Sequence, residues 1–177
     1  MWMLRGEITT SRLMLREHRP SDLDDLAVFH ADPDVTRYIP WPARSRSQTR
    51  AALDVKVRQN VARDGEWLVL AIVHSGDQRV VGEALLKRRD AAEAEIGYVL
   101  SRQYWGAGYA SEAVGALIDE AHRGLGIARL TAVVDGRNDA SIRLLHGQGF
   151  SVIDDIGDPD GTISLELVLP RRDMFAK

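Results

Sequence analysis

The spacing of apolar positions divides the chain into stretches of two different periods. Glu7 to His18 alternates, with Leu13 and Leu15 on one face and Arg12, Met14 and Arg16 on the other, as a half-buried strand does. Pro20-Ser21-Asp22 then opens a helix. Ser21 is placed to cap it, Asp24 follows three residues on, and Leu23, Leu26, Ala27 and His30 fall at helical spacing until Pro33. Tyr38-Ile39-Pro40-Trp41-Pro42 predicts a fixed loop, because each proline removes an N–H and pushes the preceding residue toward extended geometry. Ser45 with Gln48 forms a second capping signal. The run from there to Asp64, rich in Ala, Arg, Val and Leu and closed by Gly65, predicts a second helix.

From Trp67 the β period takes over. Trp67 to His74, Arg79 to Lys87 and Glu93 to Leu100 are three strands of an antiparallel meander, separated by Ser75-Gly76-Asp77 and Arg88-Arg89-Asp90. Tyr109 starts the clearest helix, whose stripe of Ala110, Ala113, Val114, Leu117, Ile118 and Ala121 stops at Gly124. Leu130 to Val134 reads as a strand and Asp139 to His146 as a short helix ended near Gly147 and Gly149. Phe150 to Ile153 and Thr162 to Leu169 close the sheet as a pair, around the turn Asp158-Pro159-Asp160-Gly161. No repeat, linker or low-complexity block interrupts this order, which predicts one α/β domain with a mixed sheet.

Composition narrows the function classes. A chain of 177 residues, 45% hydrophobic and 28% charged, has the size of one domain with a real core. A formal net charge of −3 provides no general basic field, so nucleic acid is not an expected partner. The absence of cysteine excludes disulfides, thiolate metal sites and a cysteine nucleophile. Met1 to Gly6 leads directly into charged residues without an apolar signal core, and no run is long enough for a bilayer. The expectation is a cytoplasmic protein with no membrane partner. His18, His30, His74, His122 and His146 show no metal-ligand spacing, and no metal is expected.

The segment Gln103-Tyr104-Trp105-Gly106-Ala107-Gly108-Tyr109-Ala110 lies between a strand and the best helix. The first N–H groups of a helix lack internal partners, the helix dipole adds positive character, and glycines let a phosphate approach the main chain. A bare G-x-G also describes a tight strand-to-helix turn. A P-loop is excluded, because Tyr109 and Ala110 stand where its lysine and hydroxyl belong. A dinucleotide fingerprint fits in part, with Asp135 at the end of the next strand, but the chain lacks the further βαβ crossovers such a fold needs.

Gln103-x-x-Gly106-x-Gly108 resembles the acyl-CoA pyrophosphate loop of the GNAT superfamily of N-acetyltransferases. The flanks agree: Glu95-Ile96-Gly97-Tyr98-Val99-Leu100 resembles the family's fourth strand, and Asn138-x-x-Ser141 with Gly149-Phe150 its second cofactor motif. Thr10 to Arg16 and Asp32 to Thr36 are similar to the RimJ/RimL-like branch, which acetylates the N-termini of ribosomal proteins. The resemblance spans roughly residues 10 to 170. It implies a GNAT fold over 1–177: a mixed, mostly antiparallel sheet of six to seven strands flanked by helices and splayed between the fourth and fifth. It also implies acetyl-CoA as cosubstrate, with pantetheine along Val99 and Leu100 and pyrophosphate on Gln103, Tyr104, Trp105, Gly106, Ala107, Gly108, Tyr109 and Ala110. Asn138 joins this cofactor set.

Further roles follow from the same resemblance. A backbone N–H near Val99 polarises the thioester carbonyl, Glu95 takes the amine proton through water, and Glu83 is the second choice of base. Many relatives carry a tyrosine seven residues after the motif asparagine; Leu145 stands there, which leaves Ser141 as the hydroxyl for the coenzyme sulfur. Asn138 and Ser141 equally fit an N-cap and a first-turn serine. Trp41 and Tyr38 are placed to wall the pocket or to pack beneath their loop. Asp154, Asp155, Asp158 and Asp160 either attract a cationic amine or serve the turn.

The acceptor expected is a protein N-terminal α-amine, because its deprotonation at pH 7 costs about 1 to 1.4 kcal/mol against about 4.6 for lysine. Alternatives are a small-molecule amine, such as a polyamine, amino acid or antibiotic, or a non-catalytic acyl-CoA-binding module. Oligomeric state is open, a homodimer included.

Overall fold

The computed structural model describes residues 6–58, 65–157 and 163–170. Eight strands form one sheet: β1 Ile8–Thr9, β2 Leu13–Arg16, β3 Trp67–His74, β4 Val80–Arg88, β5 Glu93–Leu100, β6 Arg129–Asp135, β7 Ser151–Gly157 and β8 Ile163–Pro170. Their order is β1-β2-β3-β4-β5-β6-β8-β7, antiparallel throughout except for the β5–β6 pair. The helices are α1 Leu23–His30, α2 Pro33–Thr36, α3 Arg46–Arg58, α4 Tyr109–Asp119 and α5 Asp139–Gly147. Among the described residues, no helix is long and apolar enough to cross a membrane.

The strand count exceeds the six to seven expected, because the segment from Glu7 to His18 is two strands. The Thr10 hydroxyl and N–H both bond the Leu13 carbonyl, and the Leu13 N–H bonds back to the hydroxyl at 3.0 Å, folding the chain at Ser11-Arg12. The first helix also begins differently. Pro20–Asp22 is a 3-10 turn, and Asp22 accepts the Arg19 N–H at 2.8 Å, so Ser21 is not its cap. After α1 ends, Asp32 caps the short α2 by accepting the Asp34 N–H at 2.9 Å. The Ser45–Gln48 capping box forms as the spacing predicts, with bonds of 2.8 and 3.3 Å. The expected extension of α3 to Asp64 and the turn at Asp158–Gly161 lie outside the described residues.

Two apolar cores cover the faces of the sheet. On one, Ala113, Val114, Leu117 and Ile118 of α4 pack on Leu70, Leu86 and Ile96. On the other, Leu26 and Phe29 of α1 and Leu53 of α3 pack on Ala71, Val73 and Val99. The central strands are therefore apolar on both faces, which is why β3 reads as a nearly continuous hydrophobic run.

One irregularity and one gap prepare the site. The β3–β4 register shifts between Ile72 and Val73, which pair with Gly82 and Val80 and leave Val81 as the extra residue. At Gly82 an added Cβ would lie 2.3 Å from the Val99 carbonyl oxygen, so only glycine lets β5 run this close. The gap lies between β5 and β6. Their parallel ladder joins Glu93, Ala94 and Glu95 to Arg129, Leu130 and Thr131 and then stops. Beyond it β5 stays with β4 as far as Leu100, while β6 follows β8 to Asp135.

Candidate active site

A cavity of about 810 Å3 occupies the space opened by this parting. Ile96 to Val99 of β5 and Ala132 to Asp135 of β6 form its two edges. Tyr38, Trp41 and Trp67 contribute an aromatic wall, so the proline-bounded loop lines the cavity. Its size is that of a pocket for a small organic ligand.

Four of the residues singled out by the sequence meet here, Glu95, Val99, Asn138 and Ser141, together with the second-choice carboxylate Glu83. Leu100 does not line the cavity; it is buried in the α4-side core. Residues Gln103–Ala110 do not line it either, but form a separate station at the start of α4.

At that station Gly106 and Gly108 adopt φ of +75° and +80°, the left-handed region that favours glycine. Gly108 is the N-cap of α4, so the N–H groups of the helix's first turn point outward with no intrahelical acceptor. An added Cβ at Gly106 would meet nothing within 4 Å, which leaves an open approach to the main chain. The aromatic side chains of the segment serve as its scaffold. The Tyr104 and Tyr109 rings pack on each other and on His74, with centroids 5.5 to 6.0 Å apart. The Trp105 indole N–H donates to the Leu100 carbonyl at 2.8 Å. Arg12 braces the turn: it donates to the Ala107 carbonyl at 2.9 Å and lies over the Tyr109 ring at 4.3 Å.

Asn138 is the N-cap of α5, and its side-chain carbonyl accepts the Ser141 N–H at 3.2 Å. The capping geometry is therefore real, and it leaves the Asn138 amide NH2 and the Ser141 hydroxyl to act as donors. Close to Ser141 lies a group that the sequence reading passed over. The Tyr98 hydroxyl is shielded from solvent and makes no hydrogen bond of proper geometry, although the Ser141 side chain approaches it. Burial pushes its ionisation upward, so it stays a protonated donor. A buried hydroxyl without a partner costs about 1 to 3 kcal/mol, and the tyrosine that carries this one lines the cavity. Aromatic character in a strand reads as core, so the pattern alone gave no signal for it.

The two carboxylates differ in their surroundings. Glu83 is fully buried; His18 Nε2 lies 3.0 Å and His30 Nε2 3.1 Å from its oxygens, and the Lys56 ammonium contacts it directly. Burial alone would raise its pKa, but Lys56 and the two imidazoles outweigh burial and hold it well below the usual carboxylate range. His18 is flanked by Asp22 as well, at 3.3 Å. Burial opposes the imidazolium, yet the two carboxylates raise its pKa above the ordinary value. Asp22 is in turn clamped by two bonds from Arg16, at 2.8 and 2.9 Å. Arg16, placed on a polar face by the alternation, is thus buried in an ion network. Glu95 sits on the last rung before the strands part, where Arg89 engages one of its oxygens at 3.2 Å. Among the described residues, no group of three or more acidic or histidine side chains is arranged to hold a metal ion.

A mixed sheet parted between two parallel strands, with a glycine turn opening the helix that follows the first of them, is the fold of the N-acetyltransferases. The chain belongs to the GNAT acetyltransferases: the family described as "Acetyltransferase (GNAT) domain" matches residues 12–151. It is 35% identical over 144 residues to the N-acetyltransferase p20 of Bacillus licheniformis, covering 80% of each chain. It is 30% identical to the N-acetyltransferase YoaA of Bacillus subtilis over 154 residues, 81% of each. Among solved structures, a GNAT acetyltransferase from Bacillus anthracis superposes with a TM-score of 0.83 at 20% identity, over 93% of this chain and 98% of that one. RimL, the ribosomal L7/L12 α-N-protein acetyltransferase in complex with coenzyme A, superposes with a TM-score of 0.77 at 19% identity, over 93% and 98%. The protein is an N-acetyltransferase.

Proposed function

We propose that this enzyme moves an acetyl group from acetyl-CoA directly to a primary amine, the α-amine of a protein N-terminus in the first place. The observation that carries the reading is the parting of β5 from β6 together with a glycine turn at a helix N-terminus, tied to the end of β5 by the Trp105–Leu100 bond. The turn offers backbone N–H groups to a pyrophosphate, and the free edge of β5 offers main-chain partners to pantetheine along Val99. Gln103, Asn138 and the first turn of α4 complete the set that would hold the donor.

Transfer then needs no covalent enzyme intermediate. The neutral amine attacks the thioester carbon, its proton passing through water to Glu95. The oxyanion forms against a backbone N–H near Val99. Collapse breaks the C–S bond and expels the thiolate, which the hydroxyls of Ser141 and Tyr98 receive. Glu95 is preferred to Glu83 as base because both oxygens of Glu83 are engaged by Lys56 and two histidines, whereas Arg89 meets Glu95 through one oxygen. Carboxylate bases are weak, which favours an amine of low pKa. The likeness of Thr10–Arg16 to the RimJ/RimL-like branch, and a fold shared with RimL, support a protein N-terminus in a cytoplasmic setting.

The test is thiol release from acetyl-CoA with a panel of amines at pH 7: a peptide with a free N-terminus, an N-blocked peptide carrying one lysine, a polyamine and free amino acids. The free N-terminus is expected to give the highest kcat/KM. Preference for the blocked lysine peptide overturns the α-amine reading, and activity confined to small amines moves the assignment to a small-molecule acceptor. Release of thiol with none of them, while acetyl-CoA still raises the melting temperature, marks a binding module.

A further inference from the structure

Seven charged side chains line the cavity, and they are unequally paired. Glu83 is met by Lys56, His18 and His30. Glu95 is met by Arg89 at 3.2 Å, and Asp135 by Arg137 through two side-chain bonds of 2.9 and 2.6 Å. Each carboxylate of the lining thus already holds a cation. Of the four cations, Arg37 is bound to Asp34, and Lys56 and Arg137 are bound as just described. Arg44 alone has no carboxylate partner among the described residues. It is half-buried, and its guanidinium lies over the Trp41 ring, 5.2 Å from the centroid, with Trp41 also lining the cavity.

This imbalance selects between acceptors. A polyamine entering the cavity would find no free carboxylate and would have to displace a partly buried ion pair, a cost that grows as water is excluded. An anionic group would instead meet a guanidinium that lies over an indole and has no carboxylate partner among the described residues, a group able to make two parallel bonds to a carboxylate. The aromatic wall of Tyr38, Trp41 and Trp67 adds room for an apolar body.

We infer that the acceptor is an amine that also carries a carboxylate, and that Arg44 is the residue that receives it. The inference rests on the acetyl-transfer reading and narrows its acceptor. The carboxylate has two sources, the α-carboxylate of a free amino acid or an acidic side chain near the N-terminus of a peptide, and both present the same chemistry to Arg44.

Matched pairs separate these cases. Phenylalanine is compared with phenethylamine, and a hexapeptide with glutamate at its second and third positions with its glutamine counterpart, on wild type, Arg44→Gln and Arg44→Lys. In wild type the anionic member of at least one pair is expected to show a kcat/KM about tenfold higher, in line with a charge-assisted bidentate contact. Arg44→Gln should reduce that preference to near unity and Arg44→Lys should restore part of it, with unchanged melting temperatures as the folding control. The pair that responds identifies the source of the carboxylate. Preference for phenethylamine, the glutamine peptide or spermidine overturns the inference, as does a preference that survives in Arg44→Gln. Calorimetric titration of the corresponding N-acetylated compounds into CoA-saturated protein reads the same preference without turnover. Equal binding within both pairs overturns the inference. Anion-selective binding that is lost in Arg44→Gln, in a protein that acetylates no amine, upholds Arg44 as the carboxylate site and refutes the acetyl-transfer reading, and with it the acceptor.

Discussion

Arg12 and Glu112 stand one hundred positions apart in the chain and meet with Nε 2.6 Å from a carboxylate oxygen. The same guanidinium donates to the Ala107 carbonyl, so the bend between β1 and β2 holds the glycine turn and the first turn of α4 in one piece. This contact fixes the position of the turn whose N–H groups would meet a phosphate.

Replacing Arg12 with Ala should therefore weaken acetyl-CoA binding by about tenfold, the scale of one charged hydrogen bond. Isothermal titration reads the change. An unaltered dissociation constant would show that the turn keeps its shape unaided. The Km for the amine should stay close to wild type.

Glu112 accepts bonds from the Thr10 and Ser11 hydroxyls and the Arg12 N–H as well as from the Arg12 side chain. These donors outweigh burial and lower its pKa from 4.5 to about 2. A carboxylate with a depressed folded-state pKa stabilises the fold fully above its unfolded value and loses that contribution as pH falls through the folded one. Glu112→Gln should thus flatten the acid limb of stability between about pH 4.5 and 2. Urea midpoints taken across that range check it; parallel limbs in the two proteins would remove Glu112 from acid unfolding.

Tyr98→Phe keeps the ring and deletes the shielded hydroxyl. If that group meets the departing sulfur, kcat should fall by about tenfold with little change in acetyl-CoA affinity, and Tyr98→Phe/Ser141→Ala should fall further. The informative measurement is binding of CoA against desulfo-CoA: discrimination in wild type should vanish in the double variant. A kcat equal to wild type in Tyr98→Phe would return the hydroxyl to a packing role.

Gly82→Ala places a methyl group 2.3 Å from the Val99 carbonyl oxygen, so one of the two strands must shift. A loss of roughly 1 to 3 kcal/mol in urea unfolding is expected, as for other overpacked positions. Ala at Gly106, where the Cβ would meet nothing within 4 Å, provides a contrast limited to its left-handed backbone.

Local signals carried most of the architecture. Of the stripe Ala110, Ala113, Val114, Leu117, Ile118 and Ala121, all but the half-buried Ala110 are buried as the period indicates, because one helix face meeting one sheet is a local rule. The three-strand meander forms as read, and Asn138 and Ser141 meet at a cap because that motif spans four residues. What escaped the sequence depends on partners far away in the chain. Glu83 looks like any strand carboxylate until His18, His30 and Lys56 arrive from three other segments. The break at Ser11-Arg12 turns on a single hydroxyl, Thr10, which alternation does not register. Tyr98 escaped because a pattern of apolar positions counts its ring and ignores its oxygen.

The parting of β5 and β6 turns the sheet into a partition with a window. Tyr98 and Leu145 approach it from the α4 side, and Glu83 and Lys56 from the side covered by α1 and α3. Two reactants can then arrive from opposite faces and be present together, with no need for one to depart before the other docks. Initial-rate plots at several fixed concentrations of the second substrate should accordingly intersect, the signature of a ternary complex, whereas parallel lines would require an acylated enzyme form.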